Sequence, residues 1–260
     1  MGFPAVHAAL APAIRRGALH LSTFCQLPDP NAIEALAKTK LDSFILDMQH
    51  GMFDEAAVVA SVAAAALEGK PAFVRLPVDC GGLASRVLDF GAIGVVCPMV
   101  NTVADAERLV SYTKFPPVGF RSWGPRRAIP LSGLNGPGYL AKANKLNLAI
   151  AMIETRQALD NLDAILAVPG IDGVFVGPSD LSVSLSSGAT LDSPDVSPAL
   201  DYVAARARAA GKFAGVFAIG SGYATDCIGR GYSFIALLQD ALFMQQAADA
   251  AVTAVRGKAA

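Results

Sequence analysis

Charge is scarce in this sequence. Asp, Glu, Lys and Arg make up 17% of the 260 residues, and the two signs nearly cancel to a formal net charge of −1. A typical globular domain carries about 25% charged residues. Nucleic acid or an anionic membrane would call for a basic excess, so neither partner is expected. Long apolar runs are also missing. The longest, residues 56–67, is mostly alanine and falls short of the ~20 residues that a membrane span needs. Arg15 and Arg16 follow the mildly apolar N-terminal stretch, the reverse of a secretory signal, so a cytoplasmic protein is expected. The four cysteines, Cys25, Cys80, Cys97 and Cys227, form no CxxC and suit free thiols in a reducing compartment. No GxGxxG, GxxxxGK[ST] or GxSxG segment occurs. That sets aside dinucleotide, P-loop and serine-hydrolase chemistry.

What is present is a 53% hydrophobic chain with a regular rhythm. Short apolar runs at 18–26, 41–48, 71–78, 92–100, 148–154, 171–177, 213–218 and 232–238 are rich in Val, Ile, Leu and Phe. They are mostly continuous rather than alternating, as strands covered on both faces should be. Helix patterns separate them. Thr102 and Asp105 read as a capping box, followed by the stripe Ala106, Leu109, Val110 and Thr113. Leu159, Leu162 and Leu166 suggest another helix, and Phe243, Ala247, Ala251 and Val255 a C-terminal one. Further helices are expected at 30–38, 55–67, 83–88 and 198–210, with a fainter pattern at 223–230. Eight βα units predict an α/β fold, a (β/α)8 barrel forming a single domain over residues 1–260. The low charge content suggests that other copies of the chain cover part of its surface. Residues 116–139 break the rhythm with closely spaced Pro and Gly. They carry Arg121, Arg126 and Arg127 and are expected to form an irregular, anion-binding lid.

Barrel chemistry sits at the carboxyl ends of the strands. There the sequence places Asp47 and His50 after the second run, Arg75 after the third, Glu154 after the fifth and Asp180 after the sixth. Glu154 and Asp180 belong to neighbouring strands and can converge. Two carboxylates with little nitrogen or sulfur nearby suit Mg²⁺, Mn²⁺ or Co²⁺. A general acid/base pair, as in glycoside hydrolysis, is the competing use of two carboxylates. His50, three residues after Asp47, is placed to move protons near neutral pH, and Asp89 is a second candidate partner for it. The loop Gly177-Pro178-Ser179-Asp180 offers backbone amides to an anion. Lys70 and Lys212 precede strands, so a Schiff-base mechanism has no lysine at the catalytic rim.

Several segments resemble the HpcH/HpaI aldolases. They are Asp47-Met48-Gln49-His50-Gly51, Val74-Arg75-Leu76-Pro77, Lys114-Phe115-Pro116-Pro117-Val118-Gly119-Phe120-Arg121, Ile153-Glu154-Thr155-Arg156 and residues 170–181, with further matches at 91–94 and 98–100. The resemblance spans roughly residues 20 to 240. It implies a metal-dependent class II aldolase that cleaves 4-hydroxy-2-oxo acids to an aldehyde and pyruvate, or a related 2-oxo acid such as hydroxypyruvate, through a metal-bound enolate. It also implies a homohexamer, a dimer of trimers, with the final helix exchanged between subunits. Glu154 and Asp180 would be the metal ligands, and amides around Gly177 and Ser179 would hold the substrate carboxylate. Arg75 would sit on the keto oxygen, and His50, oriented by Asp47 and Asp89, would move the hydroxyl proton. Arg121 and Arg126 hint at an anionic acceptor. Gln49 and Met152 depart from the Glu and Gln of many members. Oxaloacetate decarboxylation on the same site and a non-catalytic metabolite-binding barrel remain the alternatives.

Overall fold

The computed structural model describes residues 6–186, 188 and 193–257. Eight parallel strands close into a barrel in sequence order: β1 (His20–Cys25), β2 (Phe44–Asp47), β3 (Ala72–Arg75), β4 (Gly94–Cys97), β5 (Leu148–Ile153), β6 (Gly173–Val176), β7 (Phe213–Ala218) and β8 (Phe234–Gln239). Helix α1 (Val6–Arg15) precedes the barrel, and α2 (Pro30–Ala37), α3 (Glu55–Leu67), α4 (Gly81–Asp89) and α5 (Val103–Thr113) follow the first four strands. Before β5 lie α6 (Ala128–Ser132) and α7 (Gly136–Leu146). After it come α8 (Arg156–Asp160), α9 (Leu162–Ala167), α10 (Pro178–Ser186), α11 (Val196–Ala209), α12 (Ser221–Arg230) and α13 (Asp240–Arg256).

The strand alternation sorts side chains into two apolar layers. On β5, Leu148, Ile150 and Met152 join Phe24, Ile45, Phe73, Phe175, Phe213 and Phe234 inside the barrel. Ala149, Ala151 and Ile153 face outward to the helices. Small residues admit the large rings: a Cβ on Gly173 would lie 2.5 Å from the Phe213 ring. The predicted capping box holds, with the Asp105 amide donating to Thr102 Oγ1 at 3.2 Å and the Thr102 amide to Asp105 Oδ2 at 3.0 Å.

The structure differs from the sequence reading in three helical regions. Helix α1 was not expected, since its pattern is interrupted by Pro12. Its Ala11 and Ile14 join the interior cluster and seal the amino-terminal end of the barrel. The Leu159–Leu162–Leu166 stripe breaks at Asn161, whose side-chain amide donates to the Asn101 carbonyl at 2.8 Å. Residues 116–127 are irregular as expected, but 128–132 and 136–146 are helical. Helix α5 has already returned the chain to the amino-terminal end, so the segment starts at the foot, where Arg121 pairs with Asp89; further on, Arg127 Nη1 donates to the Val59 carbonyl of α3 at 3.2 Å. Pro137 and the Asn135 cap open α7 rather than marking a loop.

The foot is instead a buried charge network. Lys114 Nζ donates to Asp172 Oδ2 at 2.6 Å, and Arg15 Nε donates to Asp172 Oδ1 at 2.8 Å. Burial lowers the Lys114 pKa, and Asp172 opposes that shift. Asp172→Ala is expected to cost about 3–5 kcal/mol by leaving Lys114 buried and unpaired. Urea unfolding checks this, and activity per folded molecule should not change, because the network lies far from the rim. His20, also at the foot, stacks on Phe234 and pairs its Nε2 with Ser43 Oγ at 2.7 Å. Burial lowers its pKa to about 4, so it is a neutral packing residue at ordinary pH. The four cysteines are free thiols. Among the described residues, no helix is long and apolar enough to cross a membrane.

Candidate active site

The inward-facing positions at the carboxyl ends of the strands build the site. They open on a cavity of about 170 Å³ lined by Arg75, His50, Glu154, Gly177, Ser179 and Asp180, with Phe24, Phe175, Phe217 and Met152 as apolar walls and Gln26 and Gln239 completing the rim.

Glu154 follows β5 and is 2% exposed. Its Oε2 accepts the Met99 amide at 3.0 Å. Met99 takes φ 56°, a left-handed conformation uncommon for such a residue, and this aims its N–H at the carboxylate. Asp180, in the first turn of α10, lines the same cavity beside Glu154. Burial pushes the Glu154 pKa up to about 7; the Met99 amide opposes the shift, Asp180 adds to it and Arg75 opposes it. A buried carboxylate beside a second one is unfavourable unless a proton or a cation lies between them. The donor set therefore fits a hard divalent ion. Among the described residues no three His, Cys, Asp or Glu side chains gather, so the protein would supply two ligands and leave the other positions to water or substrate oxygens.

Gly177 keeps this site open. A Cβ there would lie 2.5 Å from Glu154 Oε1. Gly177→Ala should displace the carboxylate and lower turnover by about 100-fold, with far-UV circular dichroism unchanged. The first bond of α10 runs from the Leu181 amide to the Gly177 carbonyl at 3.0 Å, which leaves the Ser179 and Asp180 amides free at the pocket end of the helix.

Arg75 is held on two sides. Its Nε and Nη2 donate to Asp47 Oδ1 and Oδ2 at 2.8 and 2.6 Å, and its guanidinium lies 4.3 Å from the centre of the Phe24 ring. The Nη1 edge has no acceptor among the described residues. Asp47 Oδ1 also accepts the Gln49 and His50 amides at 3.1 and 3.2 Å. Asp47 thus orients Arg75 and the loop backbone, and not the His50 imidazole as the sequence suggested. The imidazole stands exposed at the rim, with no hydrogen bond to any described residue. Gln49 Oε1 is buried without a partner.

Two other candidates lie elsewhere in the chain. Asp89 ends α4 at the foot of the barrel, and Arg121 donates to its Oδ1 at 2.6 Å and to Asn147 Oδ1 at 3.0 Å. Asp89 does not meet His50 of its own chain, and Arg121 is a buried structural cation rather than a group aimed at an acceptor. Gln26, Gln239 and the apolar walls were missed, as was the Met99 amide.

With this geometry established, comparison with known proteins identifies the family. The HpcH/HpaI aldolase/citrate lyase family profile matches residues 20–247. The chain is 41% identical over 230 residues to a hydroxypyruvate/pyruvate aldolase of Rhizorhabdus wittichii, covering 88% of this chain and 90% of that protein. It is 34% identical over 236 residues to a protein of the same name from Roseovarius nubinhibens, covering 91% and 92%. An HpcH/HpaI aldolase/citrate lyase family structure from Burkholderia cenocepacia superposes with a TM-score of 0.87 at 30% identity, covering 95% of this chain and 99% of that one. The chain belongs to the HpcH/HpaI aldolase/citrate lyase family.

Proposed function

We propose that the protein is a divalent-metal-dependent aldolase that reversibly cleaves 4-hydroxy-2-oxo acids to an aldehyde and pyruvate or hydroxypyruvate. The observation that carries this reading is the buried Glu154 carboxylate beside the exposed Asp180, lining one small cavity with Arg75. Relatives named as hydroxypyruvate/pyruvate aldolases support it. Glu154 and Asp180 would hold Mg²⁺, Mn²⁺ or Co²⁺, which when bound supplies a Lewis acid for the carboxylate and keto oxygens of the 2-oxo acid.

The chain's own residues do the rest. The Ser179 and Asp180 amides hold the substrate carboxylate. The Nη1 edge of Arg75 donates to the oxygen on which negative charge develops, and Asp47 fixes that edge in place. Phe24, Phe175 and Phe217 exclude water. In cleavage, His50 takes the proton of the C4 hydroxyl as the C3–C4 bond breaks; in synthesis it returns that proton. His50→Ala should keep 2-oxo acid binding and lose about 100-fold or more in aldol cleavage, read by calorimetry and by pyruvate release.

Helix α13 supports an assembly. Asp240 is its only buried residue, and Met244, Val252 and Val255 are 51, 47 and 70% exposed. We read this as the helix exchanged between subunits of a homohexamer, a dimer of trimers, in which Asp89 could reach a His50 only across a subunit boundary. Truncation after Leu242 should then dissociate the assembly in light scattering. The free thiols suit a cytoplasmic protein.

The deciding experiment follows pyruvate released from a 4-hydroxy-2-oxo acid. Release lost with chelator and restored by Mn²⁺ is the expected result. Oxaloacetate turnover without aldol activity would point to a decarboxylase, and pyruvate binding without turnover to a binding protein.

A further inference from the structure

We propose that the side-chain amides of Gln26 and Gln239 form a subsite for a neutral hydroxyl group, facing the Glu154–Asp180 pair across the barrel mouth. The proposal rests on the aldolase reading and adds to it the substrate class: 2-oxo acids with a hydroxyl on the reacting C3, or aldehydes with one on the carbon next to the carbonyl.

An irregularity in β8 aims Gln239 at the cavity. Phe234 and Ala236 face the interior, so unbroken alternation would put Leu238 inside and Gln239 outside. The pairing with β1 instead shifts by one residue, from Ser22 opposite Ala236 to Phe24 opposite Gln239. A bulge of this kind re-aims the side chains that follow it. Gln239 thereby shares the inward face of Phe24. The extra residue is accommodated by Leu238 at φ 55°, an unusual conformation for a bulky side chain, and Thr23 Oγ1 donates to the Leu238 carbonyl at 3.2 Å.

Gln26 continues the inward face of Phe24, and its backbone is pinned. Its amide donates to Asp240 Oδ1 at 3.0 Å, and its carbonyl accepts the Met52 amide at 2.9 Å. Asp240 is 1% exposed and also accepts the Leu27 amide at 3.0 Å. Backbone anchors thus fix both glutamines, yet neither side-chain amide bonds to a described residue. Both are half-buried and line the cavity.

The surroundings select the ligand chemistry. On the β7–β8–β1 side the other lining groups are Phe217 and Phe24; Arg75, stacked on Phe24, is already paired with Asp47, and no second cation lines the cavity to favour a second carboxylate. An amide offers both a donor and an acceptor, which together match a hydroxyl. A 2-oxo acid held at Glu154 and Asp180 would present the rest of its frame across the mouth to these amides. A site built to hydrogen-bond a hydroxyl discriminates against the analogue that lacks it.

The test uses the near-isosteric variants Gln26→Met and Gln239→Met of the Mn²⁺-loaded full-length enzyme. Pyruvate and hydroxypyruvate are compared as donors, each with acetaldehyde and with glycolaldehyde. The wild-type preference for a hydroxylated partner should fall by about tenfold or more in kcat/KM ratio in each variant. A loss that follows the donor assigns the subsite to the donor hydroxyl, and one that follows the acceptor assigns it to the aldehyde. Equal loss on all four pairs, or no change in the ratios, overturns the proposal. If the wild type turns over none of them, the aldolase reading fails, and calorimetric binding of hydroxypyruvate against pyruvate then tests the subsite alone. The variants should weaken hydroxypyruvate selectively, and unchanged relative affinities would overturn the proposal there as well.

Discussion

Glutamine in place of Glu154 will abolish turnover and stabilise the ion-free protein at alkaline pH. The loss of activity, roughly 1,000-fold or more, follows from removing one of the two described carboxylates proposed to hold the divalent ion. The gain in stability follows from the sign of the pKa shift. The folded-state value is about 7, against 4.5 for the free group, because the carboxyl is buried and faces Asp180. Below the unfolded value both states hold the proton and nothing is gained or lost. As pH rises from 4.5 towards 7 the unfolded chain gives up its proton first, so folding weakens, and above 7 the full cost of about 3 kcal/mol is in force. Glutamine never ionises and can still accept the Met99 amide. In chelator, Glu154→Gln should therefore unfold several degrees above the wild type at pH 8 and together with it near pH 4.5. Ion binding competes with the same proton, so wild-type affinity for Mn²⁺ should fall about tenfold per pH unit as pH drops below 7. A variant retaining a tenth of the activity, or one no more stable at pH 8, would contradict this account.

Arg75→Met will lower both turnover and stability, and a second substitution will separate the two effects. Turnover should fall by about 100- to 1,000-fold, because the donor aimed at the developing charge is gone. Stability should fall by about 3–5 kcal/mol, because Asp47, fully buried, loses the guanidinium that its two oxygens accept from. Adding Asp47→Leu removes that stranded carboxyl. The double variant should recover most of the stability and none of the activity, a coupling that a double-mutant cycle in urea and in kcat reads directly. Lysine will not substitute: a single ammonium cannot grip both Asp47 oxygens and also present a free edge to the ligand. A double variant whose loss of stability equals the sum of the two single losses would show that the pair is not energetically coupled.

The reacting groups were legible in the sequence where a charged residue ends an apolar run. Arg75, Glu154 and Asp180 are of this kind, and the barrel brings them to one cavity. The seventh run, 213–218, has the bounds of β7 itself, because Phe213–Ala218 lies between the Gly211 turn and the Gly220 cap. Asp89 and Arg121 pair with each other away from this chain's own cavity, and the sequence did not show this because chemistry alone does not reveal which end of a barrel a residue occupies. The helix α5 pattern did carry that information, since a helix following a strand returns the chain to the foot. Gln239 left no signal: a bulge is a matter of pairing, and Leu238 reads as an ordinary strand residue. The Met99 amide was invisible for a similar reason, as only its backbone conformation brings it to Glu154.

Helix α1 has a kinetic consequence. With Ala11 and Ile14 packed against the interior rings, the barrel is a blind well with one door, and both reactants must share it. The smaller 2-oxo acid belongs at the bottom and the aldehyde above it, so in synthesis the acid must enter first and a premature aldehyde would block the way. In cleavage the queue reverses: the aldehyde departs first, and added pyruvate should inhibit competitively while added aldehyde does not.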